Sequence, residues 1–274
     1  MPDEQHGPAG AAQPRALTYA SHLRLDRILG AQQPVSGQPD EMLFIIVHQT
    51  SELWLKLILA EIDRARTCLA GDRIRPALKA LDRVIVVFGQ LVAGWDVLRT
   101  LDPTEFRAFR GSLGTASGVQ SCQYRLVEYA LGNRVVTMLD AHAPGSAERA
   151  LLEAELARPS LYHLAIDRLA ERLGVPLPDG GTTPRGPHKP DPAVEDAWRQ
   201  VYQNAAGHPD LFELAERLVS VEDRFRCWRF NHVTTVERVI GHKRGTGGTS
   251  GVGYLRTMLE VELFPELWRL RAAL

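Results

Sequence analysis

The stretch that decides the fold is DEMLFIIVHQTSELWLKLILAEIDRARTCLA, residues 40–70. It contains no glycine and no proline, begins with two acidic residues and carries basic residues near its end. Its apolar side chains recur at steps of three and four, the spacing of one face of an α-helix. Acids at the start and bases towards the end also suit the helix dipole. The pattern predicts one long helix over residues 40–70.

A second stretch of the same kind, LFELAERLVSVEDRFRCWRFNHVTTVERVIG at residues 211–241, predicts a helix on the order of 45 Å long. Shorter helical patterns cover residues 73–101, 104–113 (capped by Asp102 or Thr104) and 117–133 (ending at Gly132-Asn133). Strand-like alternation is absent from the sequence. We therefore expect an all-α fold built as a bundle of long helices.

Composition limits the class of protein before any motif is considered. With 274 residues, 45% of them hydrophobic, the chain is long enough for one large core. Its net charge of -1 supplies no field that would attract nucleic acid or an anionic membrane. The three cysteines lack the paired spacing of a disulfide framework or a zinc site. Without a leader-like segment or a membrane-length apolar run, we expect a soluble, cytoplasmic protein with no nucleic-acid or membrane partner.

The domain organisation is predicted to be simple. Residues 1–16, rich in proline, glycine and alanine, are expected to form a disordered tail, and residues 17–274 a single helical domain. Residues 174–192 hold six prolines and four glycines. This composition predicts a loop that separates two helical halves.

Two histidines occupy positions where hydrophobic residues belong. His48 lies on the apolar face of the first long helix, and His232 lies on that of the last. Either one alone is more simply explained as a neutral core histidine bonded to a backbone carbonyl. Two such residues on facing helices favour a cofactor between them, because burying an imidazole is costly unless its nitrogens are satisfied. Solvated roles are expected for His6, His142, His163, His188 and His208.

The spacing around His48 and His232 favours haem over other metal centres. No HxxxH, ExxH or HxD pair lies near either residue, which gives little support to a di-iron centre or a facial triad. Haem needs one neutral imidazole as its proximal ligand and leaves the opposite side open for a distal group. An all-helical haem carrier or sensor and a purely structural bundle remain alternatives to an enzyme.

The run GHKRGTGGTSGVGYL, residues 241–255, combines six glycines with two basic side chains. A phosphate-binding loop would need GxxxxGK[ST] after a strand, whereas here the basic residues precede the glycines and the preceding element is a helix. A flexible segment that closes over a small polar ligand fits better, with an ordinary surface loop as the alternative.

Four longer motifs carry a resemblance to a known family: LTYASHLRLDRIL (17–29), MLFIIVHQTSELWLK (42–56), FRAFRGSLGTASGVQSCQYR (106–125) and WRFNHVTTVERVIGHKRGTGGTSGVGYLR (228–256). They strongly resemble bacterial tryptophan 2,3-dioxygenases, and the resemblance extends to the C-terminal FPELW. It implies a helical bundle that encloses a haem pocket. It also implies haem b with Fe(II), and O2 as the co-substrate that is inserted across the indole C2–C3 bond of L-tryptophan to give N-formylkynurenine.

The resemblance implies roles for particular residues. His232 in FNHVTT is expected to be the axial ligand of the haem iron, and His48 in FIIVHQ the distal, catalytic histidine that hydrogen-bonds the indole N–H. Arg110 is expected to pair with the substrate carboxylate, for which a planar guanidinium is apt. The other substrate-binding residues implied are Phe44, Ile45, Ile46, Val47, Phe106 and Thr246, and those expected beside the haem are Ser117, Gly118 and Trp228.

The N-terminal segment departs from the family pattern. Tyr19 and Leu23 match the usual YxxYL motif, but His22 replaces its second tyrosine. The resemblance implies a homotetramer in which this segment completes a neighbour's active site. Phe106 fills a position that carries Tyr or Phe in the family, so the carboxylate has one hydroxyl donor fewer here. These departures leave one alternative open, a related haem-dependent oxygenase or monooxygenase that acts on a substituted indole or tryptophan in a specialised pathway.

Overall fold

The computed structural model describes residues 16–178, 188–241 and 250–274. In these ranges the α-helices are α1 Tyr19–Leu23, α2 Leu25–Ile28, α3 Asp40–Ala70, α4 Ile74–Leu98, α5 Pro103–Arg110, α6 Cys122–Leu131, α7 Ala147–Leu156, α8 Leu161–Leu173, α9 Pro192–Gln203, α10 Pro209–Val239, α11 Val252–Thr257 and α12 Pro265–Arg269. Short 3₁₀ segments lie at Gly111–Leu113, Gly118–Gln120, Val136–Ala141, Met258–Glu260 and Leu270–Ala273. No strand occurs in the described ranges, and the predicted all-α class is confirmed.

The three longest helices, α3, α4 and α10, form the centre of the molecule. Residues 71–73 join α3 and α4 into a helical hairpin, and α10 packs along α4. Helices α6 and α8 pack against α3. The main core contains fully buried Ile58 and Ile62 of α3, Phe88 of α4 and Phe225 of α10. Each such side chain stabilises the fold by about 1.5–3 kcal/mol through its burial.

The long helices lie where their apolar patterns predict them. Helix α3 spans Asp40–Ala70, the predicted range to the residue, and α10 spans Pro209–Val239, two residues earlier at each end than predicted. Helix α5 begins at Pro103, and the side chain of Asp102 accepts hydrogen bonds from the backbone N–H groups of Thr104 and Glu105. Of the two possible caps, Asp102 is therefore the one used.

The single helix predicted over residues 117–133 is wrong in its first third. Gly118–Gln120 forms a 3₁₀ turn, and α6 begins only at Cys122. The break occurs because Ser121 is extended and caps α6, its hydroxyl accepting from the backbone N–H of Tyr124 at 3.1 Å. The predicted end of this helix is confirmed, since Gly132 follows α6 with φ of 130°, a conformation that favours glycine.

The proline- and glycine-rich segment is described only in part. Residues 174–178 and 188–191 form no helix, and α9 begins at Pro192, with the Asp191 side chain capping it. Residues 179–187, like residues 1–15 of the tail, lie outside the described ranges.

Helix α3 is long and apolar enough to cross a membrane by length and composition alone. Helix α4 passes the same test only when joined to the segment after it across a 94° bend. A mostly buried core helix of a soluble protein meets this criterion too, whereas 11% of the apolar window of α3 is buried within this chain. The exposed large apolar side chains of α3 lie at helical spacing along one face: Met42, Ile46, Leu53 and Leu57. Such a stripe is typical of a surface that is covered by another chain.

Candidate active site

A cavity lies between α3, α4 and α10 and divides into two adjoining lobes. Each lobe has an empty volume of about 950 Å³, including its open mouth. We call them the Arg125 lobe, also lined by Glu52, Tyr124 and Arg229, and the Arg110 lobe, also lined by Phe44, Phe106 and Ser117. Residues that line both lobes include His48, Trp95, Gly118, Val119 and His232. The two histidines found on apolar helix faces therefore border one shared space.

His48 is held by its own helix. Its Nδ1 lies 2.7 Å from the backbone carbonyl oxygen of Phe44, one turn earlier. Because a carbonyl can only accept, Nδ1 must carry the proton, and Nε2 of the neutral ring is an acceptor. Burial lowers the pKa of His48, against smaller opposing effects of the Phe44 carbonyl and of Glu52. At neutral pH the cavity is therefore bordered by an imidazole that accepts one hydrogen bond.

His232 has no comparable support. Its ring stacks on the indole of Trp95, with centroids 4.8 Å apart and planes 14° apart, and lies 5.6 Å from the Trp228 ring. Within the described residues it makes ring contacts but no hydrogen bond. Burial, followed by the proximity of His48, lowers the pKa of His232 to about 4. The ring is therefore neutral at pH 7, which is the form that ligates a metal.

The cavity wall fits a large flat cofactor in two further respects. The indole nitrogen Nε1 of Trp95 is buried and has no acceptor among the described residues. A Cβ atom added at Gly94 or at Gly118, which both line the Arg125 lobe, would meet no described atom within 4 Å. The described part of the chain contains no group of three His, Cys, Asp or Glu side chains that could hold a metal ion. A macrocycle that supplies most of the metal ligands itself suits this wall, since it needs one imidazole.

The Arg110 lobe is aromatic on one side. Phe44 lies 5.8 Å from Phe106 and 5.6 Å from Phe109, measured between ring centroids, and 4.1 Å from His48. Tilted and edge-on contacts at such distances hold aromatic rings in place. Arg110, the last residue of α5, also lines this lobe. The lobe therefore places a cation beside an aromatic surface, as an aromatic amino acid would require.

The structure brings most of the predicted site residues to this cavity, namely Phe44, Val47, His48, Phe106, Arg110, Ser117, Gly118, Trp228 and His232. Ile45 and Ile46 are not among the residues that line it, and Ile46 is 45% exposed on another face of α3. Tyr19, His22 and Leu23 lie on α1, exposed and away from the cavity of their own chain. Thr246 lies outside the described residues.

Sequence reasoning missed several residues of the cavity wall. Trp95 could have been found, because it continues an apolar stripe through Leu91 and Leu98 of α4. Arg125 and Arg229 are buried arginines with 3% exposure, and no local pattern in their helices marks them. Two histidines expected to be solvated are buried instead, His142 with 7% and His163 with 4% exposure.

Fold and cavity together define an all-helical protein with an enclosed cofactor-sized space between two neutral histidines. A family model described as tryptophan 2,3-dioxygenase matches residues 3–148 and 195–274. The chain belongs to the tryptophan 2,3-dioxygenase family. The internal part that the model leaves unmatched, residues 149–194, includes the whole proline- and glycine-rich segment.

Curated relatives match the sequence of this chain over nearly its full length. A tryptophan 2,3-dioxygenase of Ruegeria pomeroyi is 55% identical over 94% of this chain and 93% of the relative. One of Bradyrhizobium diazoefficiens is 55% identical over 95% of this chain and 94% of the relative. One of Pseudomonas aeruginosa is 51% identical over 94% of this chain and 90% of the relative. These names favour the dioxygenase over the alternative of an oxygenase for a substituted indole.

Proposed function

We propose that the chain is a haem-dependent dioxygenase that inserts O2 across the indole C2–C3 bond of L-tryptophan and releases N-formylkynurenine. The observation that carries this proposal is His232, a neutral imidazole that has no hydrogen bond from the described residues and lines the same cavity as His48. Membership of the family supports the same reaction.

Haem b is the cofactor that the cavity wall fits. His232 would hold it by ligating the iron through the imidazole, and the stacking of Trp95 on that imidazole fixes the plane of the ring. Trp228 and the open surfaces at Ser117 and Gly118 would border the porphyrin. When bound in its ferrous form, haem supplies the redox chemistry by which O2 reacts with the indole.

His48 orients the substrate. With its Nδ1 proton donated to Phe44, the free Nε2 accepts the indole N–H and so fixes which edge of the ring faces the cofactor. Phe44 packs against the indole from the side of α3, and Val47 borders the same cavity. Positioning of this kind lowers the barrier of a reaction by holding the reacting atoms in place.

Arg110 and the segment around Thr246 recognise the amino-acid group. The guanidinium of Arg110 pairs with the carboxylate, and Phe106 closes the lobe beside it without adding a hydroxyl donor. Thr246, in the glycine-rich run, meets the ammonium and carboxylate of the substrate. Indole lacks the carboxylate and ammonium that Arg110 and Thr246 would recognise, which favours L-tryptophan as the substrate.

The active site is completed by a second copy of the chain. Tyr19, His22 and Leu23 reach from α1 into a neighbour's substrate pocket, and Ile45 and Ile46, which line neither lobe of their own chain, contact that segment beside the pocket. The exposure of Tyr19 (78%) and the apolar stripe on α3 suit such contacts. The assembly is a homotetramer, and the protein is soluble and cytoplasmic, with no nucleic-acid or membrane partner.

The product formed under ¹⁸O2 tests this function. Purified protein containing haem, given L-tryptophan and a reductant to prime the iron, is expected to form N-formylkynurenine that carries both labelled atoms. One labelled atom would indicate a monooxygenase, and a protein that binds haem without turnover would be a carrier or sensor; either result contradicts the proposal.

A further inference from the structure

The wall of the Arg125 lobe contains a buried cluster with an excess of positive charge. Arg125 and Glu128 of α6 and Arg229 of α10 have side chains that are 3%, 0% and 3% exposed. Arg125 Nη1 donates to one carboxylate oxygen of Glu128, and Arg229 Nη2 lies 2.6 Å from the other. Two guanidinium groups thus share one carboxylate, which leaves the cluster with one positive charge.

The neighbouring polar groups do not offset this charge. Tyr124 donates its hydroxyl proton to Glu128 at 3.1 Å, and burial raises its pKa, so the phenol is neutral. Asn133 also donates to Glu128, at 3.2 Å. Among the described residues lining the lobe, Glu52 is the only acid. Its carboxylate accepts from Ser121 and Gln123 and bonds neither arginine.

The two arginines differ in the donors that they have left. Arg229 donates from Nε to Tyr124 at 3.3 Å and from Nη1 to the Met258 carbonyl at 3.0 Å, in addition to Glu128. Arg125 bonds Glu128 and Tyr254 within the described residues. Since a guanidinium has five N–H donors, Arg125 keeps donors for a ligand in the lobe.

A buried net charge is costly unless an opposite charge lies beside it. Both arginines line the cavity, so that charge can come from an occupant. Haem b carries two propionate carboxylates, the groups that Arg binds with the best geometry. We propose that Arg125, backed by the charge of Arg229, binds a propionate of the haem. This inference rests on the proposed function, because it requires haem in the cavity.

The substrate carboxylate is a less suitable occupant. Its proposed partner Arg110 lines the other lobe and is not among the residues lining the Arg125 lobe. A carboxylate fixed to the porphyrin would be present in every catalytic state, whereas a substrate anion would leave the cluster uncompensated after each turnover.

The affinity for two porphyrins measures this interaction without reference to activity. The full chain, freed of cofactor, is titrated with haem b and with its dimethyl ester, which lacks both carboxylate charges, and binding is followed by absorbance. Wild-type protein is expected to bind haem b at least about tenfold more tightly than the ester, as a hydrogen bond between charged groups would give. In Arg125→Met that preference is expected to shrink towards equal affinity.

Two further variants test whether a lost preference for haem b comes from the charge of Arg125. Arg125→Gln can still donate to Glu128 but lacks the charge, and it is expected to lose the preference like Arg125→Met, which covers the case that the methionine variant does not fold. Arg134→Met removes an arginine that is 1% exposed and donates to the carbonyls of Leu156 and Arg158 without lining the cavity, so the preference is expected to persist.

Equal affinity of wild-type protein for both porphyrins would overturn the inference, as would a full preference for haem b in either Arg125 variant. If wild-type protein bound neither porphyrin, the proposed function itself would fail, so the two failures can be told apart.

Discussion

Two pairs of histidines lie fully or partly buried in this molecule and differ in the hydrogen-bond partners that the protein gives them. The closed pair, His163 and His188, has partners from the protein: His163 Nδ1 lies 2.9 Å from the Ser160 hydroxyl, and His188 Nε2 lies 2.7 Å from the buried carboxylate of Glu266. The cavity pair, His48 and His232, has one partner between them, the Phe44 carbonyl. Burial alone therefore does not distinguish a functional histidine from a structural one.

The difference lies in which ring nitrogens remain available. In the closed pair, each imidazole has one hydrogen-bond partner from the protein, Ser160 for His163 and Glu266 for His188, and these bonds lie where α8 begins and within α12. In the cavity pair, Nε2 of His48 and both ring nitrogens of His232 have no hydrogen-bond partner among the described residues, and both residues line the cavity. A buried polar group without a partner needs an explanation, and a ligand in the cavity would supply the missing partners of this pair.

Replacing one member of each pair gives the largest expected contrast. His232→Ala is expected to abolish or severely shift the Soret band of the holoprotein, because the variant lacks the imidazole proposed to ligate the iron. His163→Ala, the matched control, is expected to keep the wild-type spectrum while losing thermal stability. A normal histidine-ligated spectrum in His232→Ala would refute the choice of axial ligand.

The closed pair also predicts a pH dependence of stability. Burial, followed by the charges of Arg134, His188 and Arg66, lowers the pKa of His163 from 6.5 to about 4. Between these two pH values His163 is protonated in the unfolded chain but stays neutral in the folded chain. The free energy of unfolding therefore falls as the pH drops from 6.5 towards 4, by about 3 kcal/mol in total from this group.

Denaturant unfolding of the holoprotein at several pH values measures how the free energy of unfolding changes with pH. His163→Gln, which cannot titrate, is expected to show a shallower decline over the same range than the wild type. Parallel curves for the two proteins would show that His163 does not take up the proton.

Replacement of Arg110 is expected to have the next largest effect, a loss of affinity for L-tryptophan. Arg110→Ala is expected to weaken the binding of L-tryptophan by about ten- to a hundredfold, the value of a hydrogen bond between charged groups, and to change indole binding little. Arg107→Ala, on the same helix but lining neither lobe, is the control. Spectral titration of the haem with both ligands gives the comparison, and equal losses for tryptophan and indole would remove the carboxylate role.

Replacement of His48 is expected to have the smallest effect among the four predictions. His48→Ala removes one hydrogen bond to the substrate, worth about a tenfold fall in turnover, and leaves the haem in place because His232 holds it. Steady-state rates together with the Soret absorbance separate the two consequences. Unchanged turnover would exclude the orienting role, and loss of haem would mean that His48, not His232, supports the iron.

The sequence predicts the long helices and the two cavity histidines because both depend on local periodicity. Helix α3 and the core positions around His232 follow from steps of three and four along one chain segment. The family motifs named the site residues, whose roles remain predictions. The sequence did not predict the break before α6 at Ser121, because a serine that caps a helix cannot be distinguished by pattern from a polar residue within a longer helix.

Burial and hydrogen bonding that depend on residues far away in the chain could not be predicted from the sequence. His163 was expected in solvent, yet it is buried beside Arg134 and Arg66, which lie on other segments. The Arg125 cluster joins α6 to α10 across a hundred residues of sequence, and its excess charge becomes visible only when the members are counted together. Whether a buried histidine is satisfied is likewise a property of the packed structure.

The most direct test of the account is the structure of the holoprotein with haem bound. The account predicts that the iron is bonded to His232, with His48 on the opposite side of the porphyrin and not coordinated. Iron bonded to His48, or haem bound outside the cavity between α3, α4 and α10, would contradict it.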